Sequence, residues 1–157
     1  MQLYIMRHGE AAPASGFDLD ADAGRPLTAN GRAQVVEVIS RRKRALADLE
    51  LVLASPYLRA RQTARLVMGQ LDTAPQLLIT DCLTPDSRPA AVLDFIEQLG
   101  ASAILIASHM PLVARLVESL TAGGGHRVMG TAWLAALEIE AMTPGFGELI
   151  WMEKPGY

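Results

Sequence analysis

Three short segments of the sequence carry residues suited to handling an oxyanion: Arg7-His8-Gly9, Ser55 to Arg59, and Ser108-His109. Together they supply two histidines and two arginines. A guanidinium fork matches two oxygens of a phosphate group, and a neutral imidazole is a competent nucleophile at phosphorus near neutral pH. Phosphoryl transfer mainly needs positioning and cancellation of charge on the equatorial oxygens. Arg7, Arg59 and a protonated His109 could supply that, provided His8 stays neutral to attack. Taken singly, each segment says little. An Arg-His-Gly tripeptide arises by chance, a lone His109 is more often structural, and Arg59 alone reads as a surface helix residue. The other use for two histidines is a metal site. The sequence has no HxxxH or HExxH spacing, and the single Cys82 offers no CxxC pair, so no metal ligand set is expected.

The value of the three segments lies in the elements that lead into them. Residues 2–6, 51–54 and 103–107 are short apolar runs without polar alternation, the habit of strands buried on both faces of a parallel sheet. Each run stops at one of the three segments. Ligands of open α/β sheets bind outside the carboxyl ends of the strands, so the fold would gather these distant residues at one edge. Leu77-Leu78-Ile79 is a shorter strand candidate. Helical patterns fill the gaps. Thr28 can cap a helix carrying Val35, Val38, Ile39, Leu46 and Leu49, with Arg42 interrupting its apolar face. Ser55 and Pro56 read as the N-cap and first position of a second helix, whose positive end would face the same edge. Further helices are expected over 89–99 and from Pro111 onward. This strand and helix alternation predicts an α/β fold with a mostly parallel sheet and helices on both faces. The tail adds two strand candidates, 132–140 and 148–153, joined by a turn-rich link as an antiparallel hairpin. Gly123-Gly124-Gly125 lacks the spacing of a nucleotide P-loop and reads as a turn, with His126 beside it on the surface.

Composition bounds the rest. A chain of 157 residues, half of them hydrophobic, is expected to form a single domain, 1–157. The net charge of −3 does not suggest a nucleic-acid partner. The basic run Arg41-Arg42-Lys43-Arg44 reads as a solvated helix face. No apolar run approaches the ~20 residues of a membrane span. One cysteine and no visible signal peptide point to the cytoplasm.

The blocks also resemble a known family. Met6-Arg7-His8-Gly9-Glu10, Arg25-Pro26-Leu27-Thr28 followed by Asn30-Gly31, Ser55 to Thr63, and Ser108-His109-Met110-Pro111 resemble, in order, the signatures of the histidine phosphatase, or phosphoglycerate mutase-like, superfamily. The short length, the Arg-Pro-Leu-Thr block and Leu83-Thr84-Pro85 are most similar to its SixA-type phosphohistidine phosphatases. The resemblance implies a three-layer α/β/α sandwich and no metal or organic cofactor. It implies that His8 accepts the phosphoryl group and is then hydrolysed by water. It places Arg7, Arg59 and His109 around the phosphate, with Arg25, Gly9 and Ser55 as further substrate contacts.

Members that cleave phosphate esters protonate the leaving oxygen with a carboxylate after the third strand. The SixA-like pattern has a glutamate before Leu-Thr-Pro, where this chain has Cys82, with Asp81 just before it. Glu10, Asp18, Asp20 and Asp22 are the other candidate acids. About ten residues follow Ile79 before the next helix, too few for a large cap, so the loop from Glu10 to Leu27 is the sizeable cover. An open site without a dedicated acid suits a phosphorylated histidine-containing phosphotransfer protein, because the leaving imidazole is a far weaker base than an alkoxide (pKa ~6.5). The competing expectations are a small-molecule phosphomonoesterase and a phosphate-recognition module without turnover.

Overall fold

The computed structural model describes residues 1–14, 16, 18–123 and 128–156. Gly124, Gly125 and His126 lie outside the described residues. One sheet organises the chain, with strands β1 (Gln2–Arg7), β2 (Leu51–Ala54), β3 (Gln76–Ile79), β4 (Ala103–Ser108), β5 (Leu134–Ile139) and β6 (Gly147–Glu153) in the spatial order β3-β2-β4-β1-β5-β6. The first four run parallel, and β5 and β6 add an antiparallel edge. Helices α1 (Leu19–Ala23), α2 (Ala29–Arg42), α3 (Leu58–Gln70), α4 (Pro89–Leu99) and α5 (Leu112–Leu120) lie between the strands, and a short 3₁₀ turn spans Asp81–Leu83.

Strand pleating explains the layers. Side chains alternate between the two faces of a strand. Leu3 and Ile5 of β1, with Ile104 and Ile106 of β4, pack with Val92 and Ile96 of α4 and Leu112 and Leu116 of α5. Tyr4 and Met6, with Leu105 and Ala107, pack with Val35 and Ile39 of α2 and Ala64 and Val67 of α3. Both faces of the central strands are therefore buried, which is why their sequences are continuously apolar.

Local signals set the element ends. Thr28 caps α2, its hydroxyl accepting from the Gly31 N–H at 2.9 Å. Helix α2 ends at Arg42, before Leu46 and Leu49, which stay buried in the turns that follow. Ser55 does not cap α3, contrary to expectation. The helix begins at Leu58 with Tyr57 in the cap position, and the Ser55 hydroxyl instead accepts from the Tyr57 N–H. Pro56 thus sits in the turn ahead of the helix. Gly9 and Gly31 let β1's exit meet the start of α2: a Cβ on Gly9 would lie 2.5 Å from the Gly31 carbonyl, and one on Gly31 would strike the Glu10 carbonyl. The basic run is tied down rather than simply solvated. Arg42 pairs with Glu153 at 2.8 Å, Arg41 with Glu37, and Lys43 with Asp72. Among the described residues no helix is long and apolar enough to cross a membrane.

Candidate phosphate site

Strand register brings the three segments together. β1 pairs with β4 so that Arg7 lies opposite Ser108, and β2 pairs with β4 so that Ala54 lies opposite Ala107. The next residues along, His8, Ser55 and His109, therefore share one edge of the sheet. His8 is fixed from both sides, its N–H donating to the Ser108 carbonyl and its own carbonyl accepting from Ala132 N–H.

His8 is buried, with 6% exposure. Its Nδ1 lies 2.7 Å from the Gly9 carbonyl oxygen, which can only accept, so Nδ1 carries a proton. Nε2 then holds a lone pair, and the Arg59 Nε–H donates to it at 3.3 Å. The two contacts agree on one neutral tautomer. Burial, offset in part by the Gly9 hydrogen bond, and the Arg59, Arg7 and Arg25 charges push the His8 pKa down to about 4. His109 is 1% exposed, its ring centroid 5.1 Å from that of His8. Burial comes first in pushing its pKa down to about 2, followed by His8 and the three arginines. Before any anion binds, both rings are neutral at pH 7. The expected protonated His109 does not pre-exist there, because burial and the neighbouring positive charges disfavour its imidazolium.

The arginines converge. Arg59 is 4% exposed and reaches the Asp22 carbonyl (2.7 Å) and carboxylate (3.4 Å). Arg25 donates to the Ala12 carbonyl and to the Asp22 carboxylate, at 2.7 and 3.1 Å. Arg7 donates to the Met129 carbonyl, while its Nε is buried without a partner among the described residues. Burial and the repulsion of Arg59 and Arg25 lower the Arg7 pKa. Arg25 and Arg59 thus share one carboxylate and Arg7 pairs with none among the described residues, and the surplus positive charge is a place for an anion.

The decisive comparison is with a family model. Residues 3–83 match the histidine phosphatase superfamily (branch 1), a stretch that takes in Arg7, His8, Arg25 and Arg59. The chain belongs to the histidine phosphatase superfamily. It is 33% identical to phosphohistidine phosphatase SixA of Escherichia coli K12, over 99% of this chain and 94% of that one. The phosphohistidine phosphatase SixA homolog of Haemophilus influenzae is 33% identical over 76% of this chain and 77% of its own length. A solved structure of the protein histidine phosphatase SixA complexed with tungstate aligns with a TM-score of 0.86 at 33% identity, covering 99% of this chain and 97% of that one. The phosphoglycerate mutase-like α/β/α fold follows for this histidine phosphatase superfamily member.

Several expected residues take other places. Gly9 and Ser55 use their polar groups within the chain. The Gly9 N–H goes to Thr63 Oγ1 and its carbonyl to His8, and Ser55 is fully buried behind His109, with Oγ 2.7 Å from His109 Nε2. Glu10 turns to α2, where Thr28 and Asn30 donate to its carboxylate. Asp18 caps α1 through the Ala21 N–H. Asp81 is exposed, and Cys82 is half-buried beside the Thr80 hydroxyl. Asp22 is the one acid candidate hydrogen-bonded to the arginines among the described residues. Its burial acts upward on its pKa, but the Arg25 hydrogen bond and Arg59 hold it low, so it is ionised at pH 7. The sequence reading missed Thr63, which accepts from Gly9 N–H and donates to the Arg59 carbonyl, tying the nucleophile loop to α3. Its signal in the sequence was a hydroxyl residue one helical turn after Arg59, on the same helix face. Among the described residues no group of His, Cys, Asp or Glu is placed to hold a metal ion.

Proposed function

We propose that this chain is a protein phosphohistidine phosphatase acting through a covalent intermediate on His8. The observation that carries the reading is the His8 ring itself: its proton is held on Nδ1 by the Gly9 carbonyl, so Nε2 offers its lone pair amid three arginines. Binding of a phosphoryl group draws Arg59 from Nε2 to the phosphoryl oxygens and frees the nucleophile. Nε2 attacks phosphorus, the phosphorus–nitrogen bond of the substrate breaks, and the departing imidazole takes a proton from water or from its own protein. Arg7, Arg59 and Arg25 balance the charge on the equatorial oxygens. Water then attacks phospho-His8, releasing phosphate and restoring the neutral ring.

The substrate class follows from the acids. Asp22 is ionised and engaged by two arginines, and Glu10 and Asp18 serve helix ends. An alkyl phosphate would need a protonated enzyme group at its leaving oxygen, whereas a phosphorylated imidazole takes its proton from water or from its own protein and leaves as the neutral ring. The relatives named above as phosphohistidine phosphatases support the same class, and tungstate is a tetrahedral oxyanion of the kind this pocket suits. The partner is a phosphorylated histidine-containing phosphotransfer protein or a similar phosphoprotein. It meets a single domain, residues 1–157, that has no large cap and works in the cytoplasm. Side-by-side kinetics test this. Higher kcat/KM on a phosphohistidine protein than on alkyl phosphate monoesters is expected. Efficient hydrolysis of a small sugar phosphate, with negligible action on phosphohistidine proteins, overturns the reading in favour of a small-molecule phosphomonoesterase.

A further inference from the structure

We infer that Ser55 is a positioning residue that holds the proton of His109 on Nδ1, so that His109 serves the phosphoryl group as a neutral N–H donor and not as an imidazolium. The inference rests on the proposed phosphoryl chemistry and goes on to say what the second histidine does in it.

A count of hydrogens supports it. Ser55 Oγ has two hydrogen-bond neighbours among the described residues, the Tyr57 N–H at 3.2 Å and His109 Nε2 at 2.7 Å. The Tyr57 N–H can only donate, so it occupies a lone pair of the hydroxyl. Among the described residues the hydroxyl proton then has one acceptor in reach, His109 Nε2. A ring nitrogen that accepts carries no proton, so in the neutral ring the proton sits on Nδ1. The other tautomer would strand the hydroxyl proton of a fully buried serine.

His109 Nδ1 is buried and has no partner among the described residues. An orphaned buried donor is costly, and a phosphoryl oxygen removes that cost by accepting from it. A lone pair at the same place would repel that oxygen. Before phosphate binds, the charges around the ring favour its neutral form. Arg7 faces it from the end of β1, Arg59 from α3 and Arg25 from the segment before α2, while the neutral His8 ring lies 5.1 Å away and the Tyr57 ring packs edge-on at 5.0 Å. None of the charged groups among them is an anion. The Asp22 carboxylate is held by Arg25 and Arg59 instead.

The tautomer is directly observable. In the full chain labelled with ¹⁵N-histidine, long-range ¹H–¹⁵N spectra near pH 7.5 should show His109 protonated on Nδ1 and bare on Nε2, both alone and with saturating inorganic phosphate. Ser55→Ala should abolish that preference. An Nε2–H ring, or an imidazolium with phosphate bound, overturns the inference. These spectra do not depend on which substrate the protein hydrolyses, so an Nδ1–H ring in a protein inactive on phosphohistidine would sink the functional reading alone. A kinetic arm uses shape. The amide of asparagine overlays Nδ1 and that of glutamine overlays Nε2, and neither can become a cation. His109→Asn should exceed His109→Gln in kcat by at least about tenfold, and the wild-type kcat should stay level between about pH 7 and 9. Equal variants, or a wild-type rate that falls across that range, would count against it even if Ser55→Ala failed to fold.

Discussion

Two regions of the molecule place arginine beside an aromatic ring, and they use it oppositely. On the α2 side of β6, Arg42 lies 4.1 Å from the Trp151 ring centroid, with its Nε on the Glu153 carboxylate at 2.8 Å. Its neighbours Arg41 and Lys43 have carboxylates of their own in Glu37 and Asp72. At the sheet edge, Arg59 lies 5.1 Å from the Tyr57 ring centroid, but it shares Asp22 with Arg25, and Arg7 Nε has no partner among the described residues. Burial and mutual repulsion lower the pKa of Arg7, and burial is likewise the first cause of the lowered Arg59 value. Residue type alone therefore does not separate structure from site. What separates them is whether the chain supplies the counter-charge or leaves it to a ligand.

Removing the nucleophile breaks that comparison most severely. His8→Ala should lower turnover by on the order of 10³ or more, because no other group replaces the covalent step. Transfer of labelled phosphorus from substrate to the protein should vanish with it. A variant that still turned over at near the wild-type rate would refute the covalent route. The next largest effect belongs to the clamp. Arg7→Lys and Arg59→Lys keep the charge but lose the fork. Each should lower kcat at least about tenfold, equivalent to ~1.4 kcal/mol of transition-state stabilisation. Unchanged kinetics in both lysine variants would mean that charge suffices and the geometry of the arginines is irrelevant.

The parts legible in the sequence are those set by short-range pattern. Continuous apolar runs at 2–6, 51–54 and 103–107 announced buried parallel strands, and their ends located His8, Arg59 and His109, because register in a parallel sheet aligns strand ends. Thr28 was readable as a cap because its hydroxyl acts three residues away. Ser55 shows where such reading stops. A serine before proline has the look of a cap, but its hydroxyl is taken by Tyr57 N–H and by His109, which lies 54 residues away in the chain. Asp22 was one of several acids in its loop. Only the fold reveals that its carboxylate meets Arg25 and Arg59 while Glu10 and Asp18 turn to helix ends. Gly31 likewise needed the approach of Glu10 to explain why no side chain fits there.

The smallest effect sharpens the comparison from its structural side. Arg42 combines a guanidinium stacked on Trp151 with a carboxylate pair to Glu153, and its side chain is 35% exposed. Exposed cation–π contacts contribute about 0.5–1 kcal/mol, and exposed ion pairs about 0.2–1 kcal/mol. The two share one side chain, and solvent screens the pair, so Arg42→Ala should cost about 1 kcal/mol. For a protein of this size that lowers Tm by roughly 2–4 °C. The pair joins α2 to the last strand and none of its atoms touches the pocket arginines, so kcat should not change. The gain in Tm on adding inorganic phosphate should also match the wild type, since that gain depends on affinity for the folded state alone. Arg59→Lys should show the converse, a reduced phosphate-induced gain together with the loss of turnover. Thermal melts with and without phosphate, run beside steady-state kinetics on both variants, read all of these quantities. A fall in kcat for Arg42→Ala at unchanged phosphate response would show that the two arginine regions are coupled through α2, and the division drawn between them would fail.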